Sequence, residues 1–167
     1  RQVSDVAISH DGRYVVSVGR VSDAYETEDY APGDTRVYDA RTGETAFRLD
    51  GSPKVRCLDI SDDGSIGITG DHGNSARVWD AKSNLVTREL TGHSGPVLCV
   101  ALDPDAKRAA TASDDGTIIL FTLEDGKKSL VLNDLGQPVV SIAFSPDGSH
   151  IAGATDWGDK GSETIVW

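Results

Sequence analysis

Residues Ile142–Thr155 read IAFSPDGSHIAGAT. A short apolar run leads into a Ser-Pro-Asp-Gly segment, and a second strand-like run follows. Pro fixes the backbone at the second turn position and Gly accepts the left-handed one, so the stretch reads as a β-hairpin. The same pattern occurs three times upstream, as VAISHDGRYVVSVG from Val6, LDISDDGSIGITGD from Leu58 and VALDPDAKRAATAS from Val100. The turns end at Gly12, Gly64, Ala106 and Gly148; the last three are spaced by 42 residues and the first interval is 52.

Each hairpin continues in register. A third run ends on an aromatic residue, in TRVYD at Tyr38, ARVWD at Trp79, IILF at Phe121 and TIVW at Trp167. A fourth run closes the first three units: ETAFRLD, LVTREL and KSLVLND. Measured from turn to aromatic, unit one carries 11 extra residues and unit four carries 4, in both cases between the second and third strands. Units of about 42 residues with four short strands predict an all-β fold of consecutive four-stranded antiparallel β-propeller blades. The units are 1–50 (with an insertion at 20–35), 51–91, 92–134 and 135–167, the last without an outer strand. The six prolines fall in expected turns or loops, as strand ladders require. The ring is expected to be incomplete within this chain.

Composition narrows the function classes. The net charge is −11, which argues against direct nucleic-acid binding, because phosphates are held largely by Lys and Arg. An acidic surface favours basic protein partners. No apolar run reaches membrane-spanning length and no secretion signal is evident, so no membrane association is expected. Cys57 and Cys99 form no CxxC pair and lie in equivalent first strands, where small buried hydrophobes are expected. They point to a reducing, intracellular compartment, cytoplasmic or nuclear. The sequence contains no methionine, which suggests a piece of a longer or processed protein.

Gly92-His93 before a first strand, SDDGT at 113–117, SPDG at 145–148, VWD at 78–80 and VYD at 37–39 together resemble the WD-repeat family of β-propellers. The resemblance spans the whole chain. It implies a buried relay of His, Asp, Ser/Thr and Trp that locks a blade, and by position His93, Asp115 and Ser113 are three of its members. Phe121 replaces the tryptophan and has no N–H, so the relay is expected to be truncated. Unit four has Thr155 at the Ser113 position but no matching histidine.

These three residues also match the types of a hydrolase triad. The chain has no GxSxG elbow and the repeat gives them a packing role, so no catalytic residue is expected. The four histidines are dispersed without zinc-like spacing, and no phosphate or dinucleotide fingerprint occurs, so neither metal nor cofactor is expected.

The unit-one insertion reads RVSDAYETEDYAPGDT over 20–35. It lacks the spaced acidic pattern of a calcium loop, and strand pairing is expected to resume at Arg36. Two readings stand: a solvated acidic loop, or a partner-binding loop in which Asp23, Glu26, Glu28, Asp29 and Asp34 select basic segments and Tyr25 and Tyr30 supply contact area. In the family such loops lie on a face that receives partners. Trp157, in the unit-four insertion, is expected on the same face. YDAR at 38–41 is similar to the box by which some propellers dock on ubiquitin-ligase adaptors, which implies roles for Tyr38, Asp39 and Arg41.

The leading expectation is therefore a non-catalytic protein–protein interaction scaffold. Its partners would be other proteins and the remaining blades of the same protein. The alternatives are a regulatory or sensor module fused to a catalytic domain outside this chain, and a propeller enzyme of another family, since SPDG turns occur there too.

Overall fold

The hairpins form where the repeat puts them, in a computed structural model that describes residues 2–20, 34–49, 55–81, 83, 85–132, 136–156 and 161–167. The first sheet is a meander of β1 (Gln2–Ile8), β2 (Tyr14–Arg20), β3 (Asp34–Asp39) and β4 (Thr45–Leu49). The second contains β5 (Val55–Ile60), β6 (Ile66–Asp71), β7 (Ser75–Asp80) and β8 (Leu85–Thr91). The third contains β9 (Val97–Leu102), β10 (Arg108–Ser113), β11 (Ile118–Thr122) and β12 (Lys128–Leu132). The fourth has β13 (Val139–Phe144), β14 (Ile151–Thr155) and β15 (Thr164–Val166). Every pairing is antiparallel, and no helix occurs among the described residues. These are propeller blades, and the ring is not closed in this chain.

One turn chemistry starts all four blades. Ser9, Ser61 and Ser145 direct their hydroxyls to Asp11, Asp63 and Asp147 at 2.7, 2.8 and 2.6 Å. Each aspartate also accepts the N–H two residues on, from Arg13, Ser65 and Ser149, at 3.0 Å. In the third blade Asp103 replaces the serine and accepts from the N–H groups of Lys107 and Arg108 at 2.8 and 2.9 Å. The residue that follows must take a left-handed backbone. Gly12, Gly64 and Gly148 do so at φ of 67–70°, and Ala106 does so at 51° despite its Cβ.

Apolar side chains are shared between neighbouring blades. Val16, Val18 and Val37 of the first blade meet Leu58, Ile60 and Trp79 of the second. Ile68, Val78 and Leu90 of the second then meet Val100, Leu102 and Phe121 of the third. Ala110, Ala112 and Leu120 of the third meet Ile142, Ile151 and Trp167 of the fourth. Burying each Leu, Ile or Val contributes about 1.5–3 kcal/mol, so a blade is held largely by its neighbours. The outer strands add cross-ties: Phe47 stacks edge-on against Trp79 at 5.8 Å, and Arg88 Nε donates to the Leu123 carbonyl at 2.8 Å.

Candidate functional site: the loop end of the blades

In each meander the connections between second and third strands emerge at one end, and the Ser-x-Asp-Gly turns lie at the other. Gly19 pairs with Asp34, so both ends of the unit-one insertion leave adjacent strands at the loop end. Asp23, Tyr25, Glu26, Glu28, Asp29, Tyr30 and Trp157 lie outside the described residues. Asp34 opens β3.

What the structure describes at this end is a hydrogen-bonded centre in the third blade. His93 lies in the link before β9, and Asp115 lies in the β10–β11 turn. His93 Nδ1 is 3.2 Å from Asp115 Oδ2 and 3.1 Å from Thr117 Oγ1. Asp115 also accepts from the Ser94 N–H at 2.8 Å, the Thr117 N–H at 3.0 Å and the Thr117 hydroxyl at 2.7 Å. Facing a carboxylate, Nδ1 carries the imidazole proton and Nε2 is left as an acceptor. Thr111 Oγ1, on β10, stands 2.7 Å from that nitrogen.

The hydroxyl at His93 is thus Thr111's. Ser113, two residues on, donates instead to the Gly95 carbonyl at 2.9 Å and accepts the Asp115 N–H at 3.1 Å. Residues i and i+2 of a strand share a face, so either could have pointed to the histidine from the sequence alone. Thr117 and Ser94 are the other members that spacing did not reveal. A Thr two residues after an Asp in a turn was the available signal, since such Asp side chains capture nearby N–H and O–H groups.

The charges follow from this packing. Burial pushes the Asp115 carboxyl up, but hydrogen bonds from Thr117 and Ser94, together with His93, outweigh it and bring the pKa to about 2. Burial is also the main influence on His93 and lowers its pKa below the ordinary value, although Asp115 opposes the shift. The imidazole is neutral at pH 7. Its side chain is only 2% exposed and that of Asp115 9%, so neither presents itself to a substrate.

At the opposite end, Asp39 Oδ1 accepts the N–H groups of Arg41 and Thr42 at 2.9 and 3.0 Å and so closes the β3–β4 turn. Those bonds, Thr42's first, hold its carboxyl below the usual range. Arg41 is exposed on the same turn, and Tyr38 is half-buried in β3. The implied docking trio therefore lies at the end of the strand pair opposite Gly19 and Asp34.

Cys57 is buried and Cys99 half-buried, both as free thiols. Burial raises both thiol pKa values, which keeps them protonated. Among the described residues no group of three or more His, Cys, Asp or Glu is arranged to hold a metal ion. No helix among them is long and apolar enough to cross a membrane.

A family model for the WD domain, G-beta repeat, matches at 43–80, 84–122 and 128–160. The chain belongs to the WD40 repeat family. Among similar proteins is the small ribosomal subunit protein RACK1y of Oryza sativa subsp. japonica, 34% identical over 89 residues, which is 53% of this chain and 26% of that protein. WD repeat-containing protein 1 of Rattus norvegicus is 28% identical over 173 residues, 99% of this chain and 26% of its own length. The guanine nucleotide-binding protein subunit beta of Arabidopsis thaliana is 38% identical over 86 residues, 48% of this chain and 23% of its own length. The matches thus span about a quarter of each relative.

Proposed function

We propose that this WD40 arc is a non-catalytic scaffold that presents its second-to-third strand loops to protein partners with basic segments. The observation that carries the reading is the Gly19–Asp34 pairing, which makes the acidic insertion leave from and return to a fixed strand pair at the loop end. Five acids and two tyrosines on such a base supply electrostatic preference and contact area. Family membership supports a role in binding other proteins, and two relatives are named as subunits of larger assemblies.

The test is direct. Fluorescence anisotropy of a labelled Lys/Arg-rich peptide should show binding that weakens as salt rises through the Debye range. Deleting residues 22–34 should weaken that binding at least tenfold. Equal affinity with and without the segment would remove the insertion from the site.

Further blades of the same protein are the other partners we propose. Val6 and Ile8 are 60% and 62% exposed, whereas their equivalents Leu58, Ile60, Val100 and Leu102 are all buried against a preceding blade. Val166, at the other end, is 62% exposed where Val37, Val78 and Leu120 are buried against a following one. Appending a blade ahead of β1 should protect Val6 and Ile8 from solvent; unchanged exchange there would oppose the idea.

A further inference from the structure

The first strand of every blade is an edge. Among the described residues β1 pairs only with β2, β5 only with β6 and β9 only with β10, so half of each strand's N–H and C=O groups face away from a ladder. Two carboxylates on these strands meet that need across the junctions. Asp5 Oδ1 accepts the N–H of its neighbour Val6 at 2.9 Å, while Oδ2 accepts the N–H of Leu58 in the next blade, also at 2.9 Å. Asp59 repeats the arrangement one blade on: Oδ1 takes the Ile60 N–H and Oδ2 the Leu102 N–H, both at 2.8 Å.

The two are not at equivalent repeat positions. Asp5 lies opposite Val18 and Asp59 opposite Ile68, which the repeat aligns with Val16. Each nevertheless spans one N–H of its own strand and one of the following blade. At the third junction Cys99 occupies the Asp5 position, and its thiol donates to the carbonyl of its neighbour Val100 at 3.9 Å instead of accepting across the junction. The device thus recurs at two successive junctions from different repeat positions, which a chance surface contact would not do.

We infer that Asp5 and Asp59 are inter-blade register clamps. Their carboxylates supply the acceptors that ladder pairing cannot provide between blades, and they fix which residue of one inner strand lies beside which residue of the next. A carboxylate suits this because its two oxygens bind two N–H groups on different strands at once. Asp59 is packed deeply enough for burial to raise its carboxyl pKa, against the pull of the Leu102 and Ile60 N–H groups. It is therefore retained at a desolvation cost, as expected of a group that serves specificity.

Residue-resolved amide hydrogen exchange on the 167-residue chain tests the clamps. Asp59→Ala should speed exchange at Leu102 at least tenfold and leave Leu58 unchanged. Asp5→Ala should do the reverse. Asp59→Asn and Asp5→Asn keep the side-chain volume and one carbonyl acceptor, so they should show the same crossed pattern at smaller size. They also keep the test intact if an alanine variant does not fold. Leu58 and Leu102 accelerating together in every variant, or neither changing, would overturn the inference.

Discussion

The second and third blades share strand order, turn chemistry and length, yet they are locked differently. The third has the imidazole, carboxylate and hydroxyl of His93, Asp115 and Thr111 but carries Phe121 on β11. The second has Trp79 on β7, fully buried, with no histidine before β5 and Gly73 where the third has Asp115. The Trp79 Nε1–H finds no hydrogen-bond partner among the described residues. Each blade thus carries the part of the family relay that the other lacks. The difference shows that the relay's pieces are not interchangeable stabilisers: an indole without its acceptor is a buried orphan costing about 1–3 kcal/mol, and a histidine without an indole turns to local groups. In the third blade those groups are the Thr111 and Thr117 hydroxyls, 2.7 and 3.1 Å from the ring nitrogens.

The largest effect expected from breaking this comparison lies beneath Trp79. Gly67 sits opposite it in the ladder, and a Cβ there would fall 1.8 Å from the indole Cζ2. Gly67→Ala should lower stability by about 3 kcal/mol or more, a drop of roughly 6–12 °C in Tm for a domain of this size. Calorimetry reads this directly, and an unchanged Tm would mean the indole has another place to go. Next comes Asp115→Ala, which strands the N–H groups of Ser94 and Thr117 and the buried His93 ring. A loss of about 2–3 kcal/mol is expected in chemical denaturation. The equivalent change in the second blade, Gly73→Ala, removes no such acceptor and should cost less.

The contrast also marks how far the sequence can be read. The blade pattern was legible because it is redundant: four hairpins repeat one Ser-x-Asp-Gly chemistry, and even Asp103 and Ala106 keep its geometry. The inter-strand insertions were equally plain, since a fixed repeat exposes any added residue. The relay was half legible. His93 and Asp115 stand at unusual, informative positions, whereas Thr111 and Ser113 are both hydroxyls on one strand face, and only the reach of the imidazole selects between them. The Asp5 and Asp59 contacts were hidden for a different reason. They join residues more than forty positions apart through a side chain and a backbone N–H, so the identity of the partner residue leaves no trace in its letter.

A third experiment sharpens the comparison by trying to rebuild the missing relay. Phe121 lies opposite Ala109, where Trp79 has Gly67. Phe121→Trp alone should clash with the Ala109 methyl and cost about 1–3 kcal/mol. Adding Ala109→Gly copies the second blade's arrangement, gives the ring room and brings an indole N–H into the blade that has Thr111 and His93. Positive coupling of about 1–2 kcal/mol in the double-mutant cycle is expected. Additive losses would show that glycine opposite the ring does not set which aromatic fits.

The smallest effect is the pH dependence that separates the two blades. Asp115 has a folded pKa of about 2, below its ordinary value of 3.8, so its stabilisation is complete above about pH 4 and is lost as pH falls from there through about 2. His93 acts in the same sense. Its lowered pKa means that the unfolded chain takes up a proton first as pH drops below the ordinary value of 6.5, which favours unfolding. Acidification should therefore weaken the third blade in two steps, with the lower one of order 1 kcal/mol after solvent screening. Asp115→Asn should flatten the lower step and leave the upper one, whose midpoint then follows His93 alone. The second blade has neither group at these positions and only the turn carboxylate Asp63 lowered in the same direction, so amide exchange should show a larger loss in β10 and β11 than in β6 and β7. Equal acid sensitivity in both pairs of strands would assign the effect to the whole chain's carboxylates and not to this centre.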